Sequence, residues 1–80
     1  MIREHDRVVL TEPMAGEGLE AGDVGAVVHT YPGGEAFEVE FVTLSGRTAA
    51  VITVPSTRLR PVGVAEIPHA REFARLHPAG

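Results

Sequence analysis

Phe37-Glu38-Val39-Glu40-Phe41 alternates strictly between apolar and acidic side chains. Successive side chains of a strand point to opposite faces, so this run predicts a β-strand with Phe37, Val39 and Phe41 buried and both glutamates in water. Just upstream, Pro32-Gly33-Gly34 suits a type II turn, because its second central position needs φ > 0. A hairpin with the preceding run, Val24 to Tyr31, follows, and Gly25 inside that run predicts a bulge or a sharp coil. Downstream, Ser45-Gly46 makes the next turn, and Thr48 to Val54 (Ala49, Ala50, Val51, Ile52, Val54) reads as a strand covered on both sides. Pro55-Ser56-Thr57 breaks that strand and predicts a turn of 3₁₀ helix before a last short strand, carried by Leu59 and Val62 and ending at Pro61. At the other end Arg7-Val8-Val9-Leu10 is the first strand. Thr11 to Gly22, with Pro13, Gly16, Gly18 and three glutamates, reads as a long exposed loop.

Residues 6 to 62 thus hold five short strands, and the chain is mainly β. A long first loop, a tight second hairpin and a 3₁₀ turn before the last strand are the order of parts in a small five-stranded SH3-like barrel, whose near closure also hides its edges. The barrel is expected over residues 5–62, followed by a tail over 63–80. In the tail Pro68 can open a helix, Ala70, Phe73 and Ala74 fall on one face, and Pro78 ends it. A short C-terminal helix over about 68–77 is the expectation. At that length it must dock to be stable, either across its own barrel or on another chain.

Eighty residues make one domain, and a chain of this size buries only about 60% of its unfolded surface, which leaves little for a deep catalytic cleft. With no cysteine there is neither a disulfide framework nor a thiolate zinc site, which favours a cytoplasmic protein. No apolar run approaches the roughly 20 residues that cross a bilayer, so no membrane role is expected. Eleven carboxylates against seven arginines give a net charge of −4, and nonspecific nucleic-acid binding depends on basic side chains neutralising phosphates. Nucleic acid is therefore the less favoured partner.

The runs Asp6-Arg7-Val8-Val9-Leu10-Thr11, Gly18-Leu19-Glu20-Ala21-Gly22-Asp23-Val24-Gly25-Ala26-Val27-Val28, Tyr31 through Phe41, and Leu59-Arg60-Pro61-Val62 together resemble a bacterial family catalogued as domain of unknown function 4926. The resemblance covers most of residues 5 to 62 and leaves out the tail from Ala65 onward. It implies a small SH3-like β-barrel with no assigned reaction and no agreed catalytic residues. It also implies an association with small toxin-like proteins, which would suit an antitoxin or immunity role. More distantly, Gly22-Asp23-Val24-Gly25-x-Val27 is similar to the turn of KOW-type ribosomal and transcription-factor modules, and to the SH3-like part of nitrile hydratase β subunits. These are analogies of fold.

No constellation points to catalysis. Glu38 and Glu40 stand about 7 Å apart on one strand face, a separation that paired-carboxylate hydrolases use. Nothing apolar is interleaved there to raise one pKa, so a solvated face is the better reading, with Arg58 and Arg60 as candidate ion partners. His5, His29, His69 and His77 are scattered, and the last two lie about 12 Å apart along any helix. Ser45 and Ser56 sit in turns. Glycines 16, 18, 22 and 25 match neither phosphate-loop spacing. No enzyme, no metal and no cofactor is expected.

What remains is a non-catalytic protein-interaction module. Its acidic loop (Glu12, Glu17, Glu20, Asp23), Tyr31, and Phe73 and Leu76 of the tail are the candidate contacts for a protein partner, with a basic partner favoured by charge complementarity. The alternative is a KOW-like RNA- or ribosome-associated module using Arg47, Arg58 and Arg60. Self-association through Ile52, Phe73 or an exposed strand edge is a third use of leftover apolar surface, making the chain a homo-oligomer.

Overall fold

A computed structural model of the chain describes residues 1–74. Five strands follow one another: β1 Arg7–Leu10, β2 Val24–Thr30, β3 Ala36–Val42, β4 Thr48–Pro55 and β5 Leu59–Pro61, with 3₁₀ turns at Ala15–Glu17, Pro32–Gly34 and Ser56–Arg58. They form one antiparallel sheet in the order β4-β3-β2-β1-β5. The strand count, the long first loop and the 3₁₀ turn before β5 are as the sequence predicts.

Closure into a barrel is not. β4 and β5 are the two edges of an open sheet. β5 has three residues, all paired with β1 through Val8, Val9 and Leu10. It ends at Pro61 as β4 ends at Pro55, and neither proline has an N–H with which to bridge the gap. The expected helix over about 68–77 is also corrected. Among the described residues no helix reaches seven residues, and 68–73 are non-helical. Residues 75–77 of that span, with Leu76 and His77, and the following Pro78 lie outside the described residues. A helix of ten residues is marginal in water, whereas here Phe73 packs against the core as part of a strap.

The core is one cluster on one face of the sheet: Val8 and Leu10 of β1, Val27 of β2, Phe37, Val39 and Phe41 of β3, Val54, Leu59, and Leu19 from the first loop. The alternation of β3 is as expected, with its three apolar residues buried and Glu38 and Glu40 on the other face. Two other expectations change. β4 is not covered on both sides: as an edge strand it fully buries only Val54, and Val51 is exposed. The irregularity of β2 falls between Val27 and His29, not at Gly25. Gly25 instead lets β3 come close, since a Cβ there would stand 2.5 Å from Val39 Cγ1 and 2.9 Å from the Glu40 carbonyl oxygen. The β2–β3 hairpin closes through the predicted type II turn, with Gly33 at φ 77°, ψ 0° and the Gly34 N–H donating to the Tyr31 carbonyl at 3.1 Å.

Candidate functional site: an acidic loop holding a guanidinium

The loop between β1 and β2 is more ordered than its composition suggests. Met14 and Leu19 exchange backbone hydrogen bonds of 3.0 and 3.2 Å around the 3₁₀ turn, and Gly18 closes that turn in the left-handed region at φ 75°. This turn drops Leu19 into the core, where it is 3% exposed. Its burial corrects the reading of residues 11 to 22 as an exposed loop throughout. The backbone then rejoins the sheet through Gly22 N–H on the Leu10 carbonyl (2.8 Å) and Leu10 N–H on the Asp23 carbonyl (2.9 Å).

Asp23 is fixed by the same geometry, because its Oδ2 accepts the Glu20 N–H at 2.7 Å. The carboxylate so oriented receives Arg71 from the tail: Nε donates to Oδ1 at 3.0 Å and Nη2 donates to Oδ2. Nη2 also donates to the Gly18 carbonyl at 3.1 Å, Nη1 donates to the Glu72 carbonyl at 3.0 Å, and Glu20 lies 3.6 Å from Nη1. Two parallel N–H···O bonds to one carboxylate are the strongest arrangement a guanidinium makes. The hydrogen bond to Asp23 holds Arg71 above its ordinary pKa, helped by the negative field of Asp23 and Glu20 and opposed by partial burial. The side chains of Arg71 and Asp23 are 28% and 18% exposed. The loop is therefore a formed seat for a planar cation, with one oriented carboxylate, a carbonyl turned outward by a left-handed glycine and a flanking glutamate.

The other predicted contact residues distribute around this seat. Glu17 lies on the 3₁₀ turn of the same loop, and Glu12 faces Arg58 at 3.5 Å. Tyr31 is at the far end of β2 from Asp23, eight residues on, about 26 Å at 3.3 Å per residue. Its hydroxyl donates to Glu38 at 3.0 Å and its ring meets His29 edge-on at 4.8 Å. Phe73 sits on the core of its own chain, and Leu76 lies outside the described residues.

Arg47, Arg58 and Arg60 are engaged separately. Arg47 is in the β3–β4 turn, Arg58 is beside Glu12, and Arg60 makes two bonds of 2.8 and 2.7 Å to Glu66. Glu66 also accepts the Gly63 N–H at 2.7 Å. These bonds lower its pKa to about 2 from 4.5, the bond from Arg60 being the larger cause, and raise that of Arg60. The predicted pairing of Arg58 and Arg60 with Glu38 and Glu40 is not made, because two strands, β2 and β1, separate β3 from β5. Glu38 and Glu40 instead accept the hydroxyls of Thr53 (2.6 Å) and Thr48 (2.7 Å).

Sequence reasoning missed Arg71. Its bonds to Asp23 span 48 positions, and no local pattern signals a contact at that range. Among the comparisons with known proteins, residues 4–61 match the family described as Domain of unknown function (DUF4926). The match covers all five strands and the acidic loop, and stops before the strap that carries Arg71. No curated protein and no solved structure matches the chain.

Proposed function

We propose that this chain, which belongs to the DUF4926 family, is a non-catalytic protein-interaction module whose β1–β2 loop receives an arginine of a basic protein partner. The observation that carries the reading is the seat itself: the loop already holds one guanidinium, that of Arg71. A partner arginine would take the same two-bond geometry on Asp23 and displace the strap, so binding is a competition between an internal and an external cation. Such a competition suits an antitoxin or immunity role toward a basic protein, since an acidic surface also speeds encounter by steering. The build we infer is SH3-like with the sheet left open between β4 and β5. It is supported by the strand order, the long β1–β2 loop, the tight β2–β3 hairpin and the 3₁₀ turn before β5.

The test is capture from host lysate with the intact chain, with Arg71→Ala, and with Asp23→Asn plus Glu20→Gln, reading bound protein and bound RNA together. The expected result is one basic protein in stoichiometric amount, enriched by Arg71→Ala and lost with the neutralised loop. A protein retained equally by all three forms sinks the reading. Recovery of nuclease-sensitive RNA alone would do the same.

A further inference from the structure

The two edges of the sheet are finished in opposite ways. β5 is three residues long, ends in proline, and has Arg60 clasped to Glu66. Short length, proline and charge are the devices that keep an edge from pairing with another chain. β4 shares only the terminal proline, Pro55. It runs for eight residues, and from Thr48 to Thr57 the sequence carries no charged side chain and no proline before Pro55. Its Ala50, Val51, Ile52, Thr53 and Val54 are mostly β-branched, which is what a paired strand prefers.

The unpaired groups on this edge can be identified. Ser56 N–H donates to the Glu35 carbonyl at 2.9 Å, and the register continues with Phe37 opposite Val54 and Val39 opposite Ile52. Because bonded and non-bonded positions alternate in an antiparallel ladder, Ile52 and Val54 turn their N–H and C=O groups toward β3, and Val51 and Thr53 turn theirs outward. The segment is bounded by the register shift where Val42 pairs with Thr48 at one end and by Pro55 at the other. Its midpoint is Ile52.

We propose that β4 is a self-association edge: two copies of this chain pair antiparallel through Ala50–Val54, about a two-fold axis at Ile52, into one continuous sheet. In that register Val51 of each copy exchanges both backbone bonds with Thr53 of the other, about four bonds in all. Ala50 comes opposite Val54, and the two Ile52 side chains, each already packed against its own core, meet on the inner face. Charge is what commits the edge to a second copy. An acidic chain meeting itself usually sets carboxylates against each other. Here the nearest ones on the outer face, Glu38 and Glu40, are on β3 and tied back by Thr53 and Thr48. Across the joint they stand three strand spacings apart, about 14 Å, beyond the screening length of about 8 Å at physiological salt. The edge is separated from the Arg71 seat by β3 and β2, so this proposal is independent of the proposed function.

Sedimentation equilibrium of the full chain, from micromolar to near-millimolar concentration, tests it. The expected mass rises to twice 8.5 kDa, and Val51→Lys, on an exposed outer-face side chain, returns it to the single-chain value by setting two like charges beside the axis. Amide hydrogen exchange on the unsubstituted chain is the second measurement, and it decides the matter even if Val51→Lys does not fold. Protection of Val51 and Thr53 must grow with concentration. A constant mass of 8.5 kDa, a dimer that survives Val51→Lys, or free exchange at those two amides in the associated form overturns the proposal.

Discussion

The centre of the sheet and the strap that crosses its flank are held by opposite kinds of force. Where β2 meets β3, side chains without charge interlock: Val27 opposes Val39, both 0% exposed, and Gly25 opposes Phe41 where there is no room for a Cβ. Along the flank, Arg71 on Asp23 and Arg60 on Glu66 hold residues 60–73 to the loop and to β5 by charged hydrogen bonds at the surface. Burial has no charge to screen or titrate, whereas surface ion pairs respond to both salt and pH. The difference separates folding from occupancy: conditions that empty the Arg71 seat need not unfold the sheet beneath it.

The largest effect belongs at the centre. Gly25→Ala places a methyl group 2.5 Å from Val39 and 2.9 Å from a backbone carbonyl of β3, and backbone cannot swing aside as a flexible side chain can. The cost is expected at about 3 kcal/mol, the upper part of the overpacking range. A core of this size supplies only about 3–5 kcal/mol in total, so urea denaturation followed by circular dichroism should find the variant largely unfolded. A midpoint within experimental scatter of the parent would mean that β2 and β3 are looser than the close approach implies, and would dissolve the contrast with the flank.

Leu19→Ala is next. Among the described residues Leu19 is the one fully buried core side chain supplied by a loop, and its removal should cost about 2–3 kcal/mol, the low end for leucine because the neighbouring turn can settle partway into the space. The same variant should loosen Arg71, since the Gly18 carbonyl that receives Nη2 is positioned by the adjoining residue. A chemical-shift change at Arg71 Nε exceeding that at Arg60 Nε would tie the seat to the core beneath it. Equal or absent changes would leave the two regions independent.

These two positions also mark how far the sequence could be read. β3 was legible because period-two alternation has a single structural meaning, and the type II turn because glycine adopts the positive φ of Gly33 without steric cost. Gly25 was legible as a special position but not as a close approach, since its partner Phe41 is 16 places away and register is not a local property. Leu19 and Arg71 were not legible. A lone leucine between Gly18 and Glu20 has no periodicity to place it inside. Arg71 looks like any tail arginine until the fold sets it against Asp23. Openness of the sheet was equally hidden, because it depends on what a three-residue β5 has left after pairing with β1.

Arg71→Ala is expected to have a smaller effect on stability and a larger one on the loop. Loss of a two-bond ion pair whose members are 28% and 18% exposed should cost about 1 kcal/mol. In the same variant Phe73, which lies on the core two residues on, should become more mobile by nuclear magnetic relaxation. Salt provides the sharper comparison. At about 1 M the screening length falls to about 3 Å, so the parent should move toward the variant in the spectrum of Asp23 and Phe73 while the resonances of Val27 and Val39 stay in place. If the core resonances shift in step with the flank, the two regions unfold as one unit and the competition proposed at the seat has no free strap to work with.

The smallest effect is the pH dependence of the Arg60–Glu66 clasp, and its direction follows from the protonation states. Bonds from Arg60 and from the Gly63 N–H hold Glu66 at about 2, below the 4.5 of an unconstrained glutamate, so the folded chain binds this proton less readily than the unfolded one. Whatever stability the clasp adds is fully present above about 4.5 and fades as pH falls toward 2. Both partners are exposed at the surface, where such pairs contribute little. The position of the transition therefore matters more than its size. The Glu66 carboxyl carbon should titrate with a midpoint near 2 in the parent and return toward 4.5 in Arg60→Ala, with the denaturant midpoints of the two proteins converging across that interval. A midpoint near 4.5 in the parent would mean that the clasp is open in solution. The β5 edge would then lose the charged finish that distinguishes it from β4.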